Sequence, residues 1–218
     1  HYDGQPYMVD EMGGLGWIPK EQRANSWGYG AQIETLDDFY DILEKEIDAF
    51  AACKHVVGFC YTQLTDVEQE KNGMYYYDRK PKFDCNKIKS IMGIVNGTTN
   101  YMLTKMSAEH LDFNDVLREA QEKGYAESDP TADIGGLDAA RKIAILASIA
   151  FNTRVSLDDV YIEGIESLTL RDIDYAKELG YVVKLLAIAK RDEVNGISVR
   201  VHPTMLPNHH PLANVNDV

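Results

Sequence analysis

The run Asp133-Ile134-Gly135-Gly136-Leu137-Asp138-Ala139-Ala140-Arg141-Lys142-Ile143-Ala144-Ile145-Leu146-Ala147-Ser148-Ile149-Ala150-Phe151 decides how the second half of this chain is read. Two glycines close a polar loop, and Ala, Ile and Leu follow without a further Gly or Pro, so a long helix is expected over about residues 137–151. Asp138 falls in its first turn, where a carboxylate complements the helix dipole. Lys142 lies four residues further on and shares that face, while Ala139, Ala140, Ala144 and Ala147 allow close packing. By spacing alone the pair is a solvated ion pair worth less than ~1 kcal/mol. The loop before it alters the reading. Glu127, Asp129, Asp133 and Asp138 crowd carboxylates into residues 127–138, ending at a helix amino terminus, and so many acids need a cationic partner. A substrate ammonium would supply one, with Lys142 as proton donor or acceptor beside it. A calcium loop fits less well, because the spacing departs from D-x-[DN]-x-[DN]-G.

Outward from this helix, residues 99–107 and 114–123 have helical character, the second with Asp112 as a cap and Gly124 as terminator. Ser156 with Asp159 and Thr169 with Asp172 fit the S/T-x-x-D/E box, so a short helix is expected after each. Residues 181–190 and 197–202 are strand-like and flank Asn195-Gly196, a hairpin signal. Residues 91–95 read as a short strand entering Asn96-Gly97-Thr98-Thr99. A domain seam is placed just before, giving residues 1–87 and 88–218.

The earlier part reads as strand, loop, helix, strand. Residues 6–10 are extended, residues 13–30 form a Gly- and Trp-rich loop, and residues 36–52 show helical periodicity capped by Thr35. Leu36, Phe39, Tyr40, Leu43, Ile47 and Phe50 make one apolar face of that helix. Residues 56–61 read as a buried strand, and strand, helix, strand is the unit of a parallel α/β sheet. Residues 65–84 are polar and Tyr-rich, with the turn signals Asn72-Gly73 and Arg79-Lys80-Pro81.

A net charge of −13 over 218 residues argues against nucleic acid and against anionic membrane surfaces as partners. The longest apolar stretch falls short of the roughly 20 residues that span a bilayer. Cys53, Cys60 and Cys85 are odd in number and lack C-x-x-C spacing, so neither disulfides nor a metal site is expected and a cytoplasmic location fits. The absence of a leader at His1 agrees, and both ends of the chain read as cuts.

Three ordered blocks carry a resemblance: Gly93-Ile94-Val95-Asn96-Gly97-Thr98-Thr99-Asn100-Tyr101-Met102-Leu103, then Glu119-Ala120-Gln121-Glu122-Lys123-Gly124-Tyr125-Ala126-Glu127-Ser128-Asp129-Pro130, then residues 133–142. With Glu163-Gly164-Ile165, Lys184-Leu185-Leu186-Ala187 and Pro211-Leu212-Ala213-Asn214-Val215-Asn216, they resemble the homoserine dehydrogenases over about residues 88–218. That resemblance implies an α+β catalytic domain. It also implies NAD(P)H-dependent interconversion of aspartate semialdehyde and homoserine, a step toward threonine and methionine, and a homodimer formed through residues 88–218. In that family Lys142 would exchange a proton with the substrate oxygen, and Asp138 would orient the substrate hydroxyl or its water. Glu127 and Asp133 would hold the ammonium, Thr98 and Tyr125 would add hydrogen bonds, and Gly97 would admit the nicotinamide. No G-x-G-x-x-G follows a strand in these residues, so NAD(P) is expected to be held mainly by a dinucleotide domain absent from this chain.

Residues 6–84 resemble a different family. Val9-Asp10-Glu11-Met12-Gly13-Gly14, Ser26-Trp27-Gly28-Tyr29-Gly30 and the run from Gly58 to Glu70 are similar to the end of the catalytic barrel in glycoside hydrolase family two, the β-galactosidase and β-glucuronidase group. This implies a partial TIM barrel, with Glu11 as the nucleophile of a retaining glycosidase and Trp27 stacking on sugar. Retaining chemistry needs a second carboxyl group roughly 5 Å away, which that family carries on an earlier strand. The alternatives to an oxidoreductase are therefore a β-glycosidase fragment or an inactive fusion of the two.

Overall fold

A computed structural model of the chain describes residues 7–18, 20–53, 55–192, 194 and 196–216. It divides into two units, His1–Asp84 and Cys85–Val218.

The first unit runs β1 (Tyr7–Gly13), β2 (Leu15–Trp17), β3 (Tyr29–Ile33), α1 (Leu36–Ala52) and β4 (Val56–Thr62), with β1 parallel to β4 and β2 parallel to β3. Pro6, at the start of the predicted extended segment, lies outside the described residues. Thr35 caps α1 as its sequence predicts, its Oγ1 accepting from the Asp38 amide at 3.1 Å. The predicted apolar face of α1 is only partly covered: Phe39 is buried, while Ile47 is exposed. A sheet of two strands offers too little apolar surface for a full stripe. For the same reason the strand predicted as buried is not. Cys60 is exposed, and among the described residues β4 pairs only with β1.

Residues 13–30, predicted as a loop, supply β2 and the first part of β3. Glycine permits that pairing, because a Cβ on Gly28 would stand 2.7 Å from the Cα of Gly16. The polar segment after β4 folds around a buried carboxylate. Asp66 accepts from Lys82 Nζ at 2.5 Å and from the Gly73 amide at 3.0 Å, which offsets the cost of burying the pair. In β1, α1 and β4 the unit holds a parallel strand, helix, strand arrangement that many α/β folds share, and nothing in it distinguishes a barrel segment.

The second unit runs β5 (Ser90–Gly93), α2 (Gly97–Glu109), α3 (Phe113–Glu122), α4 (Thr131–Ile134), α5 (Leu137–Ala150), β6 (Val160–Ile162), α6 (Leu170–Glu178), β7 (Tyr181–Asp192) and β8 (Gly196–Pro207). Its four strands form one mixed sheet in the order β5-β7-β8-β6, antiparallel except between β8 and β6. Strand alternation splits the apolar residues of β7 between two cores. Leu185, Ala187 and Ala189 join Val199 and Val201 of β8, Met102 and Met106 of α2, and Ile143 and Ala147 of α5 in the main core. Leu186 and Ile188 join Leu206 and Ala213 in a smaller one.

Several ends follow their sequence signals and others depart from them. The long helix stops at Ala150, Gly124 ends α3 with φ +76°, and both capping boxes close. Only a three-residue 3-10 turn, Leu157–Asp159, follows the first box. Asp112 occupies the cap position of α3 without a side-chain cap bond. The predicted loop of residues 124–136 contains the single turn α4, and α2 begins at Gly97 because Asn96 caps it. Of the predicted hairpin turn, Asn195 lies outside the described residues. Gly196 has φ +80°.

Candidate active site

Asp133 ends up near Asp138 because α4 passes into α5 through Gly136, whose φ is +79°. A Cβ there would enter a left-handed conformation and press within 3.3 Å of Ile162. The turn α4 is also held from behind: the Ile165 amide donates to the Ile134 carbonyl at 2.7 Å. A Cβ on the neighbouring Gly164 would lie 2.2 Å from that same carbonyl oxygen.

On α5, Lys142 Nζ stands 2.7 Å from Asp138 Oδ2 and donates to the Val95 carbonyl at 3.0 Å. Side-chain exposure is 51% for Lys142 and 30% for Asp138, so both reach solvent. Asn96, buried, donates from Nδ2 to Asp133 Oδ1 at 2.7 Å and to Asp138 Oδ2 at 3.0 Å. Burial pushes the Asp138 carboxyl upward, but hydrogen bonds from Lys142 and Asn96 outweigh it and hold the group below its ordinary value. The three-residue group Asp133, Asp138 and Lys142 is thus gathered on the turn before α2.

Among the described residues, the other predicted residues make no hydrogen bond to this group. Thr98 Oγ1 donates to the Tyr125 carbonyl at 2.7 Å, tying the first turn of α2 to the loop that begins at Gly124. The Tyr125 ring is half-exposed and meets Tyr101 edge-on at 5.0 Å. Tyr101 donates to Glu119 at 2.8 Å and accepts from Lys123 Nζ at 3.0 Å. Together with Lys105 these groups hold Glu119 down to about 2, Lys123 contributing most. Glu127 is exposed, its carbonyl anchored by Gln121 Nε2 at 3.1 Å. Among the described residues its carboxylate bonds to none of the predicted site residues. Gly97 is exposed at the amino end of α2.

The residue that sequence reasoning missed is Asn96. Its position ahead of Gly97-Thr98-Thr99 carries an N-cap signal, but its bonds to two acids 37 and 42 residues away depend on tertiary folding.

In the first unit Glu11 is exposed on β1, and Thr62 Oγ1 donates to it at 3.3 Å. Glu11, Met12, Gly13, Gly14, Tyr29 and Thr62 line a cavity of about 210 Å³. Trp27 is half-exposed and meets Tyr29 edge-on at 5.6 Å. Among the described residues no His, Cys, Asp and Glu cluster could hold a metal, and no helix is long and apolar enough to cross a membrane.

A protein family described as homoserine dehydrogenase matches residues 80–218, more than half of the chain. The homoserine dehydrogenase of Synechocystis is 55% identical over 142 residues, covering 64% of this chain and 33% of its own length. That of Bacillus subtilis is 53% identical over 132 residues, covering 61% of this chain and 30% of its own. Among solved structures, a homoserine dehydrogenase from Thiobacillus denitrificans superimposes with a TM-score of 0.58 at 52% identity, covering 60% of this chain and 30% of that one. The chain therefore spans about a third of the length of the relatives it matches. By the match of residues 80–218, and by the mixed α/β fold they share with solved relatives, the chain belongs to the homoserine dehydrogenase family.

Proposed function

We propose that the unit Cys85–Val218 is the substrate-binding and proton-transferring part of a homoserine dehydrogenase, acting in the reversible reduction of aspartate semialdehyde to homoserine. The observation that carries this reading is the convergence of Asp133, Asp138 and Lys142 on the turn before α2. Carboxylates anchor the substrate ammonium, and an ammonium side chain beside them can give a proton to an oxygen that gains charge. Lys142 donates that proton during reduction and receives it during oxidation. Asp138 sets the direction of Lys142 Nζ and accepts from the substrate hydroxyl or its water. Asp133 holds the substrate ammonium, and Glu127 adds negative charge from the loop edge. Thr98 and Tyr125 border the site through the bond that joins them.

NAD(P)H, when bound, supplies the hydride to the aldehyde carbon. Gly97, exposed and without a side chain, fits the nicotinamide end. The sequence has no G-x-G-x-x-G to cradle a pyrophosphate, so most cofactor binding is assigned to a dinucleotide-binding part beyond these residues. The reading extends to a homodimer formed through the second unit and to a cytoplasmic step toward threonine and methionine.

The test is a calorimetric titration of homoserine into the full chain, with NADPH oxidation by aspartate semialdehyde measured alongside. Homoserine binding that Asp133→Asn abolishes supports the proposal, and no binding overturns it. Robust Lys142-dependent NADPH oxidation would overturn the assignment of cofactor binding to residues outside this chain.

The glycosidase resemblance supplies a second reading, favoured by one observation: Glu11 stands beside Thr62 of the parallel neighbour β4, over a small cavity. Cleavage of a chromogenic β-glycoside, lost in Glu11→Ala, would support it. If the chain shows neither activity and does not bind homoserine, the reading as an inactive fusion stands.

A further inference from the structure

We propose that Asn96 is the positioning residue of this site, its amide holding Asp133 and Asp138 side by side and fixing which oxygen of each is left for the substrate. The inference rests on the reading of Asp133, Asp138 and Lys142 as the substrate site.

A side-chain amide has one acceptor oxygen and two N–H donors, and here every one is committed. Asn96 Oδ1 accepts from the Thr99 amide and from Thr99 Oγ1, both at 2.9 Å. Its Nδ2 donates to Asp133 Oδ1 and Asp138 Oδ2. The Thr99 amide can only donate, so the oxygen must face α2 and the NH2 must face the acids. A flipped amide would set its oxygen against two carboxylates and its NH2 against a donor. The residue is 6% exposed, so water cannot substitute for these bonds at low cost.

Two carboxylates drawn to one NH2 would repel each other if it were removed. Each also gives Asn96 one oxygen. Among the described residues Asp133 Oδ2 and Asp138 Oδ1 accept no hydrogen bond, whereas Asp138 Oδ2 serves both Asn96 and Lys142. The amide therefore leaves one acceptor oxygen on each acid, a pair suited to a substrate with an ammonium and a hydroxyl. It also ties the acids of α4 and α5 to the amino end of α2, where Gly97 and Thr98 lie.

A purely structural role as helix cap predicts something different. Ser and Asp cap helices about as well as Asn, so Asn96→Ser and Asn96→Asp would leave the site unchanged if capping were the whole role. Neither can supply the two N–H donors.

The test is a carbon-detected NMR titration of the Asp138 carboxyl in the full chain without ligand, followed by a homoserine titration. In Asn96→Ser the Asp138 midpoint rises, because a hydrogen bond to the ionised form is lost. In Asn96→Asp it rises further, because a third carboxylate replaces the donors. Thr99→Val, which removes one of the two bonds steadying the amide, gives a smaller rise and serves if the Asn96 variants fail to fold. Homoserine affinity falls by roughly tenfold in Asn96→Ser, because a displaced acid gives up about one charge-assisted bond to the substrate. An Asp138 midpoint unchanged in all three variants overturns the inference. A raised midpoint in a chain whose wild type does not bind homoserine upholds the clamp on the two acids and overturns the substrate reading instead.

Discussion

Replacing Asp138 with Asn separates a chemical role from a structural one. Asp138 and Lys142 form an ion pair at 2.7 Å with half of the Lys142 side chain in water. Solvent-exposed pairs at this spacing contribute about 0.3–0.5 kcal/mol to stability. Asn keeps an acceptor oxygen for the Asn96 amide, so the substitution costs about 1 kcal/mol or less overall. On the proposed role of Asp138, its effect on homoserine binding is larger. A hydrogen bond from the substrate to an ionised acceptor is worth about 1.5–3 kcal/mol, which corresponds to roughly 10- to 150-fold in affinity. Urea denaturation and homoserine calorimetry on the same preparations read the two effects. The pH dependence has a definite sign. The folded-state carboxyl lies below its ordinary value, so its contribution to stability is complete above that value and is lost as pH falls through the folded one. Asp138→Asn removes that acid limb. A variant that loses several kcal/mol of stability while binding homoserine unchanged would show Asp138 to be structural instead.

Ile143→Ala, at a position 1% exposed between α5 and the sheet, is expected to cost about 2–5 kcal/mol by opening a cavity, measured by urea denaturation. Gly164→Ala forces a Cβ against the Ile134 carbonyl, so it is expected to destabilise the second unit and to weaken homoserine binding by displacing α4 with Asp133. Both effects are read by pairing thermal melts with calorimetry. Glu119 is held at about 2 against an ordinary 4.5, so its contribution is present above about 4.5 and is lost as pH falls toward 2. Glu119→Gln should flatten that part of the pH–stability curve. Thr169→Ala removes a closed capping box from α6 and should lower stability by about 1 kcal/mol, with loss of amide protection in its first turn.

Much of the second unit was legible because its signals are local. The run of Ala, Ile and Leu without Gly or Pro, the Gly135-Gly136 pair and the S/T-x-x-D boxes mark where helices form and begin, and α5 and α6 follow them closely. The pairing of Asp138 with Lys142 follows from helix pitch alone. What remained hidden depends on distant residues. Asn96 reaches both acids only after α4 and α5 fold against the turn before α2, and Thr98 spends its hydroxyl on the Tyr125 backbone. In the first unit, residues 13–30 are rich in turn-forming Gly, yet Gly16 and Gly28 let two short strands approach. The apolar run of β4 suggested burial, but burial requires neighbouring layers, and among the described residues this strand has one partner.

We propose that Asp133, Asp138 and Lys142, gathered on the turn before α2, bind homoserine. Mapping amide shifts of the full chain during a homoserine titration tests it most directly. Saturable shifts concentrated at residues 95–99, 133, 138 and 142, and absent in Asp133→Asn, are expected. Shifts confined to the surroundings of Glu11 and Trp27, or none at saturating homoserine, would contradict it.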